Sequence, residues 1–219
     1  MKRLLAVFCL LVSAMTLHAQ EAAKLKNSGN DALRAKNYPL ALESYEKAYA
    51  ADAKFIGEDL KTVYNMGICG YKTKNYNKSI KYFTMCFDQG YKGEKACRYM
   101  SYCYKKQKDM DNYVSILEKG LAKYPNSLSI KKSLSKHYLI QANGSYSQAI
   151  KVLTKANEAV AAGTFKTNEP QYKKAEQEAK KLYEVALPIC EKSLSIYPDS
   201  PQAKNMKTQI EKGVSDLTK

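Results

Sequence analysis

Apolar positions along this chain recur at three- and four-residue intervals, in stretches separated by short polar breaks. That spacing is helical. The breaks themselves repeat. Lys36-Asn37-Tyr38 returns as Lys74-Asn75-Tyr76, each after a Gly-bearing helical stretch and before an amphipathic one, and Lys123-Tyr124-Pro125-Asn126-Ser127 is echoed by Ser195-Ile196-Tyr197-Pro198-Asp199-Ser200. Self-similarity at a period in the thirties predicts a stack of helical hairpins, each too small to bury its own apolar face.

Further along, Asn143-Gly144-Ser145 has the composition of a turn between two helices. Gly163 to Asn168 reads as a loop, and a long helix opens at Glu169-Pro170, where proline suits a first turn. Pro188 is expected to break or kink that helix. Pro201 starts a last helix to about Leu217, with Ala203, Met206, Ile210 and Val214 on one stripe.

At the other end, Lys2-Arg3 precedes an apolar run from Leu4 to Met15, interrupted only by Ser13, and a small residue, Ala19, stands at the exit. A charged start, a short apolar middle and a small exit residue describe a secretory signal, so residues 1–19 are expected to be removed on export to the periplasm or the exterior. The run is short for a membrane span, and no later stretch is apolar enough to be one.

Glycine (10) and proline (6) are scarce for 219 residues, which suits helices joined by short turns. The formal charge is +15, or +13 without Lys2 and Arg3, which favours anionic partners. Export argues against nucleic acid as that partner. Cys9 leaves with the signal. Cys69, Cys86, Cys97, Cys103 and Cys190 remain, an odd number without a CxxC pair, on faces that want a small apolar residue. They read as core, with one or two bridges among the first four left open by an exported setting.

The unit spacing resembles that of the tetratricopeptide repeat family, a 34-residue helix-turn-helix with a sparse pattern of Leu-Gly, Tyr, Ala, an aromatic and a closing Pro. Residues 22–55 carry Leu25, Gly29, Tyr38, Ala41, Tyr45 and Ala48 in that order, and 60–93 carry Met66-Gly67, Tyr71, Tyr76, Ser79, Phe83 and Cys86. Residues 94–127 carry Met100-Ser101, Tyr104, Met110, Tyr113, Leu117, Gly120 and Pro125, and 128–163 carry Leu134-Ser135, Tyr138, Tyr146, Ala149, Leu153 and Ala156. A divergent fifth unit covers 169–199, with a capping helix over 200–217. The resemblance implies an all-α, right-handed superhelical solenoid occupying residues 20–219 as a single domain.

In that family, first helices line a concave groove. The resemblance therefore places there Lys26, Asn30 and Arg34 from the first unit, then Lys61, Tyr64, Asn65, Ile68, Tyr71 and Lys72 from the second. Lys95, Arg98, Tyr102, Lys105 and Lys106 follow from the third, and Lys132 and Lys136 from the fourth. This surface is nearly all cation and tyrosine, with almost no carboxylate. Lys and Arg donate charge-assisted hydrogen bonds, and Tyr adds stackable area with a polar tip. The groove also partly resembles the carboxylate clamp of tetratricopeptide co-chaperones. Lys26-Asn27-Ser28-Gly29-Asn30 matches its first-helix signature, and Asn65 and Lys95 match later elements. Tyr99 stands where that clamp has Arg, with Arg98 one residue earlier.

Catalysis finds little support. Beyond the leader only His137 remains as a histidine, and no GxSxG, HExxH or phosphate-cradling glycine loop occurs. Neither a metal nor a cofactor is expected. The reading is a non-catalytic adaptor in the cell envelope that binds an anionic peptide or protein segment in its groove. Two alternatives stand beside it: a structural subunit using convex or end surfaces, and a charge-driven binder of anionic polysaccharide or lipid.

Overall fold

The computed structural model describes the backbone of residues 2–218 and the side chains of residues 18–218; the greater part of the expected leader, side chains 1–17, lies outside them. Among the described residues all regular structure is helical, and no helix is long and apolar enough to cross a membrane. The chain divides into two compact units, Met1–Pro125 and Asn126–Lys219.

The first unit is built of three antiparallel hairpins. Helices α1 (Lys2–Arg34) and α2 (Tyr38–Ala51) form the first, and a short α3 (Ala53–Glu58) occupies the lengthened junction that follows. Helices α4 (Leu60–Lys72) and α5 (Tyr76–Asp88) form the second, and α6 (Gly93–Gln107) and α7 (Met110–Lys123) the third.

One turn joins the two helices of every hairpin. Lys36, Lys74 and Lys108 adopt φ of 59, 60 and 62°. The amides of Asn37, Asn75 and Asp109 then reach back to the carbonyls of Ala32, Gly70 and Tyr104 at 2.8, 2.8 and 3.0 Å. This bond, six residues back to one, satisfies carbonyls left open at a helix end. Asn37, Asn75 and Asp109 also cap the next helix by accepting from the amides of Leu40, Lys78 and Asn112. Lys108-Asp109-Met110 is thus a third copy of the repeated tripeptide, hidden in the sequence by two substitutions.

Small residues let the helices of a hairpin close. A Cβ on Gly70 would lie 2.8 Å from the backbone nitrogen of Ser79, whose hydroxyl donates to the Gly67 carbonyl at 2.9 Å. Gly70→Ala is therefore expected to force α4 and α5 apart at a cost of about 2–3 kcal/mol. Gly144 differs, since a Cβ there would meet nothing within 4 Å. Gly144→Ala, inside a helix, should stabilise by about 1 kcal/mol. Chemical denaturation of the two variants checks both signs.

The second unit corrects one expectation and narrows another. Asn143-Gly144-Ser145 makes no turn: α8 runs unbroken from Leu128 to Ala161 and lies antiparallel to an equally continuous α9 (Pro170–Ile196). Buried Ser135, Ala142, Ala149 and Ala156 on α8 stand seven apart, as do Ala179, Ala186 and Ser193 on α9. That seam of small side chains continues through the would-be turn and holds the helices together at close range. Asn143 and Gly144 lie on the solvent side of α8, where a poor helix former costs little. The fourth unit is therefore not a hairpin of its own.

Pro188 likewise does not end α9. Pro188 and Glu184, whose carbonyl loses its helical partner, are both exposed, so water can take the place of the missing donor. The remainder matches expectation: α10 (Pro201–Asp216) packs on α9 with Ala203 and Ile210 buried and Met206 and Val214 against the same core. Ser200 caps it by accepting from the Ala203 amide at 3.3 Å.

Candidate functional site

The face that α4 and α6 share inside the first unit holds the chemistry. On α4, Tyr64, Ile68 and Tyr71 fall at i, i+4 and i+7; on α6, Lys95, Arg98, Tyr99 and Tyr102 fall at i, i+3, i+4 and i+7, so each set makes one stripe. The two stripes meet around a hollow of about 550 Å³ lined by these seven residues. Tyr71 and Tyr102 also wall a neighbouring hollow of about 340 Å³, completed by Lys105 and Lys106. No carboxylate lines either.

Aromatic packing fixes the walls. Tyr99 stacks on buried Phe83 of α5 with centroids 4.8 Å apart and planes 6° from parallel. Tyr64, Tyr71 and Tyr102 approach the same Tyr99 ring edge-on at 6.4, 5.3 and 6.4 Å. These are the geometries that ring quadrupoles favour. Lys92 packs against one of these rings, its ammonium 4.6 Å from the Tyr64 centroid. Burial, then the neighbouring Tyr99, Cys86 and Tyr91, pushes the Tyr64 hydroxyl up to about 12, and burial raises Tyr71 as well. Tyr64 and Tyr71 thus stay neutral at physiological pH.

Arg98 is the polar centre. Its Nη2 donates to the Tyr102 hydroxyl at 3.3 Å, while its Nε is buried without a hydrogen-bond partner. A buried guanidinium N–H without an acceptor is costly and marks where an acceptor belongs. The Tyr102 hydroxyl and the Glu94 carboxylate, one turn away, hold the guanidinium still more firmly in its charged form.

A third hollow, about 400 Å³, lies between α1 and α4, lined by Lys26, Asn27, Asn30, Leu33, Arg34, Asp59, Lys61, Thr62 and Asn65. Here the expectation of a surface almost free of carboxylate is corrected. Asp59 accepts from Lys26 at 3.2 Å, and from the amide and hydroxyl of Thr62 at 3.1 and 2.8 Å, because it is the N-cap of α4. Burial would raise its carboxyl, but the two Thr62 bonds and Lys26 outweigh that and hold it below the usual range. Lys26 also lies 4.8 Å from the Phe55 centroid. The Tyr45 hydroxyl donates to Asn30 Oδ1 at 2.8 Å and lies within reach of Asn65. Arg34 pairs with Asp31 at 2.9 Å. The polar groups of this hollow largely satisfy one another.

The clamp-like set is thereby divided. Lys26, Asn30 and Asn65 line the hollow with Asp59, whereas Lys95 and Arg98 line the tyrosine-walled one. Lys72 lines neither and lies 5.8 Å from the Tyr38 centroid. Lys132 and Lys136 belong to the second unit, Lys132 over the Tyr197 ring at 5.6 Å and Lys136 exposed. The sequence reading passed over Tyr99 as a wall, although it shares the stripe of Lys95 and Tyr102. It also passed over Asp59, whose role is visible as a helix-capping Asp. Lys92 had no such signal, since it reaches Tyr64 from a loop.

His137 is half-buried on α8, its ring edge-on to Tyr138 at 5.3 Å. Among the described residues the five cysteines are free and buried. Burial pushes the thiols of Cys69, Cys86 and Cys97 up to about 11, 12 and 12, and raises Cys103 and Cys190. Such thiols are packing groups, not nucleophiles.

No family model matches the chain, and no curated protein matches it in sequence. Solved structures do. A TPR-repeats protein from Bacteroides fragilis NCTC 9343 is similar with a TM-score of 0.57 at 22% identity, covering 87% of this chain and 98% of that one. A chain from Bacteroides ovatus ATCC 8483 is similar with a TM-score of 0.51 at 13% identity, covering 90% and 99% respectively. The fold is therefore the all-α fold of tetratricopeptide repeat proteins.

Proposed function

We propose that this protein is a non-catalytic adaptor that docks a carboxylate-bearing segment of a partner protein in the tyrosine-walled cleft between α4 and α6. The observation that carries this reading is Arg98, whose Nε is buried without a partner, on the wall of a hollow with four tyrosines and no carboxylate. A carboxylate entering there would supply the missing acceptor. The tyrosines would cover the neighbouring side chains of the segment at small cost in conformational freedom. Lys95 at the same hollow and Lys105 and Lys106 beside it give the approach a positive field. The leader composition supports the cell envelope as the place of action.

The test is affinity capture from the cell envelope with the wild type and with Arg98→Met, which keeps the stem and removes the donor. Since a hydrogen bond to a charged group contributes about 1.5–3 kcal/mol, the captured partner should bind the variant about 10–100-fold more weakly. Equal capture by both proteins would refute the assignment.

A further inference from the structure

The hairpin turns of the first unit carry a second feature, apart from the cleft. Tyr38 at the first turn lies under Lys72 at the second, 5.8 Å from ring centroid to ammonium, and Gln107 at the third turn donates to Asn77 at the second at 2.6 Å. The three turns are therefore side by side along one edge. Each places a lysine, Lys36, Lys74 or Lys108, in the left-handed region. All three are exposed, and none is ion-paired among the described residues.

Glycine suits that conformation and lysine does not, because a Cβ crowds the following carbonyl. At the end of α8 the same turn uses Gly163, at φ 73°. A cation is favoured near a helix C-terminus, but Arg34, Lys72, Lys105 and Lys106 already fill the last turns of these helices. Folding thus gives no reason for three lysines in register at strained positions. Carboxylates offset part of this charge at the third turn only: Asp31 pairs with Arg34, whereas Asp109 and Asp111 stand charged beside Lys108. Lys72, Lys105 and Lys106 in the last turns keep the edge cationic.

Apolar side chains stand beside the lysines. Leu40 and Met110, in the first turns of α2 and α7, are 49% and 39% exposed. Cations interleaved with exposed apolar groups match the boundary of a bilayer, where ammonium groups meet headgroup phosphates and short apolar side chains enter the acyl margin. A purely polar polyanion would use the lysines and leave Leu40 and Met110 in water. We propose that this turn edge docks the protein on a membrane surface rich in anionic lipid, with Lys36, Lys74 and Lys108 as headgroup contacts and Leu40 and Met110 as shallow anchors.

The experiment is co-sedimentation of the full chain with vesicles of phosphatidylglycerol mixed with phosphatidylcholine, and with phosphatidylcholine alone. The main variant is Lys36→Gly/Lys74→Gly/Lys108→Gly. Because glycine fits all three turns, its melting temperature should equal or exceed that of the wild type, so a loss of binding is not a loss of fold. At about 1 kcal/mol per lysine near an anionic surface, partition to the mixed vesicles should fall on the order of 100-fold. A control, Lys151→Gln/Lys155→Gln/Lys174→Gln, removes as much charge elsewhere and should retain most of the binding. Leu40→Ser/Met110→Ser should keep binding at low salt and lose it more steeply as salt rises. Equal binding by the glycine variant, an equal loss in the control, or equal binding to phosphatidylcholine alone would overturn the proposal. So would unchanged partition of Leu40→Ser/Met110→Ser at every salt concentration, which would point to a soluble polyanion instead.

Discussion

Phe83→Ala should destabilise the first unit by about 3–5 kcal/mol, the range for removing a fully buried aromatic side chain. Phe83 is 0% exposed, packs edge-on against Tyr64 at 5.3 Å and stacks on Tyr99 at 4.8 Å. It thus supports two walls of the cleft from behind, and its loss should weaken ligand capture as well as stability. Denaturant unfolding followed by circular dichroism measures the first effect, and capture assays at temperatures where the variant is folded measure the second. A coupling follows from the geometry. A Cβ on Gly67 would lie 2.9 Å from three Phe83 ring atoms. Gly67→Ala should therefore be destabilising alone and much less so in the Phe83→Ala background, where the cavity accommodates the methyl. Additive effects in the double variant would contradict the contact.

Tyr183→Ala should cost a similar amount, about 3–5 kcal/mol by the same cavity argument, in the second unit. The buried cluster around Tyr183 is otherwise poor in large side chains. Ala142, Ala149, Ala179, Ala186, Cys190 and Ile210 are its fully buried members, and Tyr183, 2% exposed, is the largest residue among them. Its ring meets Tyr146 at 5.7 Å and leaves a Cβ on Gly213 only 2.7 Å of room, so it ties α8, α9 and α10 together. Small residues on the α8 and α9 seam cannot shift to fill the space, because they already hold the two helices in close contact. Amide hydrogen exchange should show protection lost across α8, α9 and α10. Undiminished protection would show that the alanine seam alone is enough.

The residues of the hairpins explain which features could be read in advance. A glycine on one helix and a bulky ring sixteen residues later, as in Gly29 and Tyr45 or Gly67 and Phe83, stand so close that a Cβ on either glycine would overlap the ring. That contact is local, within one unit, and so appears in the sequence as a spacing. The α6 and α4 stripes were legible for the same reason, since periodicity places their side chains on one face. Asn143-Gly144-Ser145 misled because turn propensity amounts to about 1 kcal/mol, while the partner that overrules it, α9, lies tens of residues away. Asp59 was unread as a site residue because its ion pair with Lys26 spans 33 positions.

By itself, the chain's pattern determined the helical class, the hairpin period, the repeated turn and the cationic, tyrosine-rich character of one face. These are set by spacings within a helix or across one short turn, where geometry follows directly from residue number. Only the tertiary structure decided that Lys26 spends its charge on Asp59, that Arg98 keeps a buried donor without an acceptor, and that α8 runs straight through a turn sequence. Each of those depends on which distant group arrives within about 4 Å, and at that range desolvation and pairing outweigh any local preference.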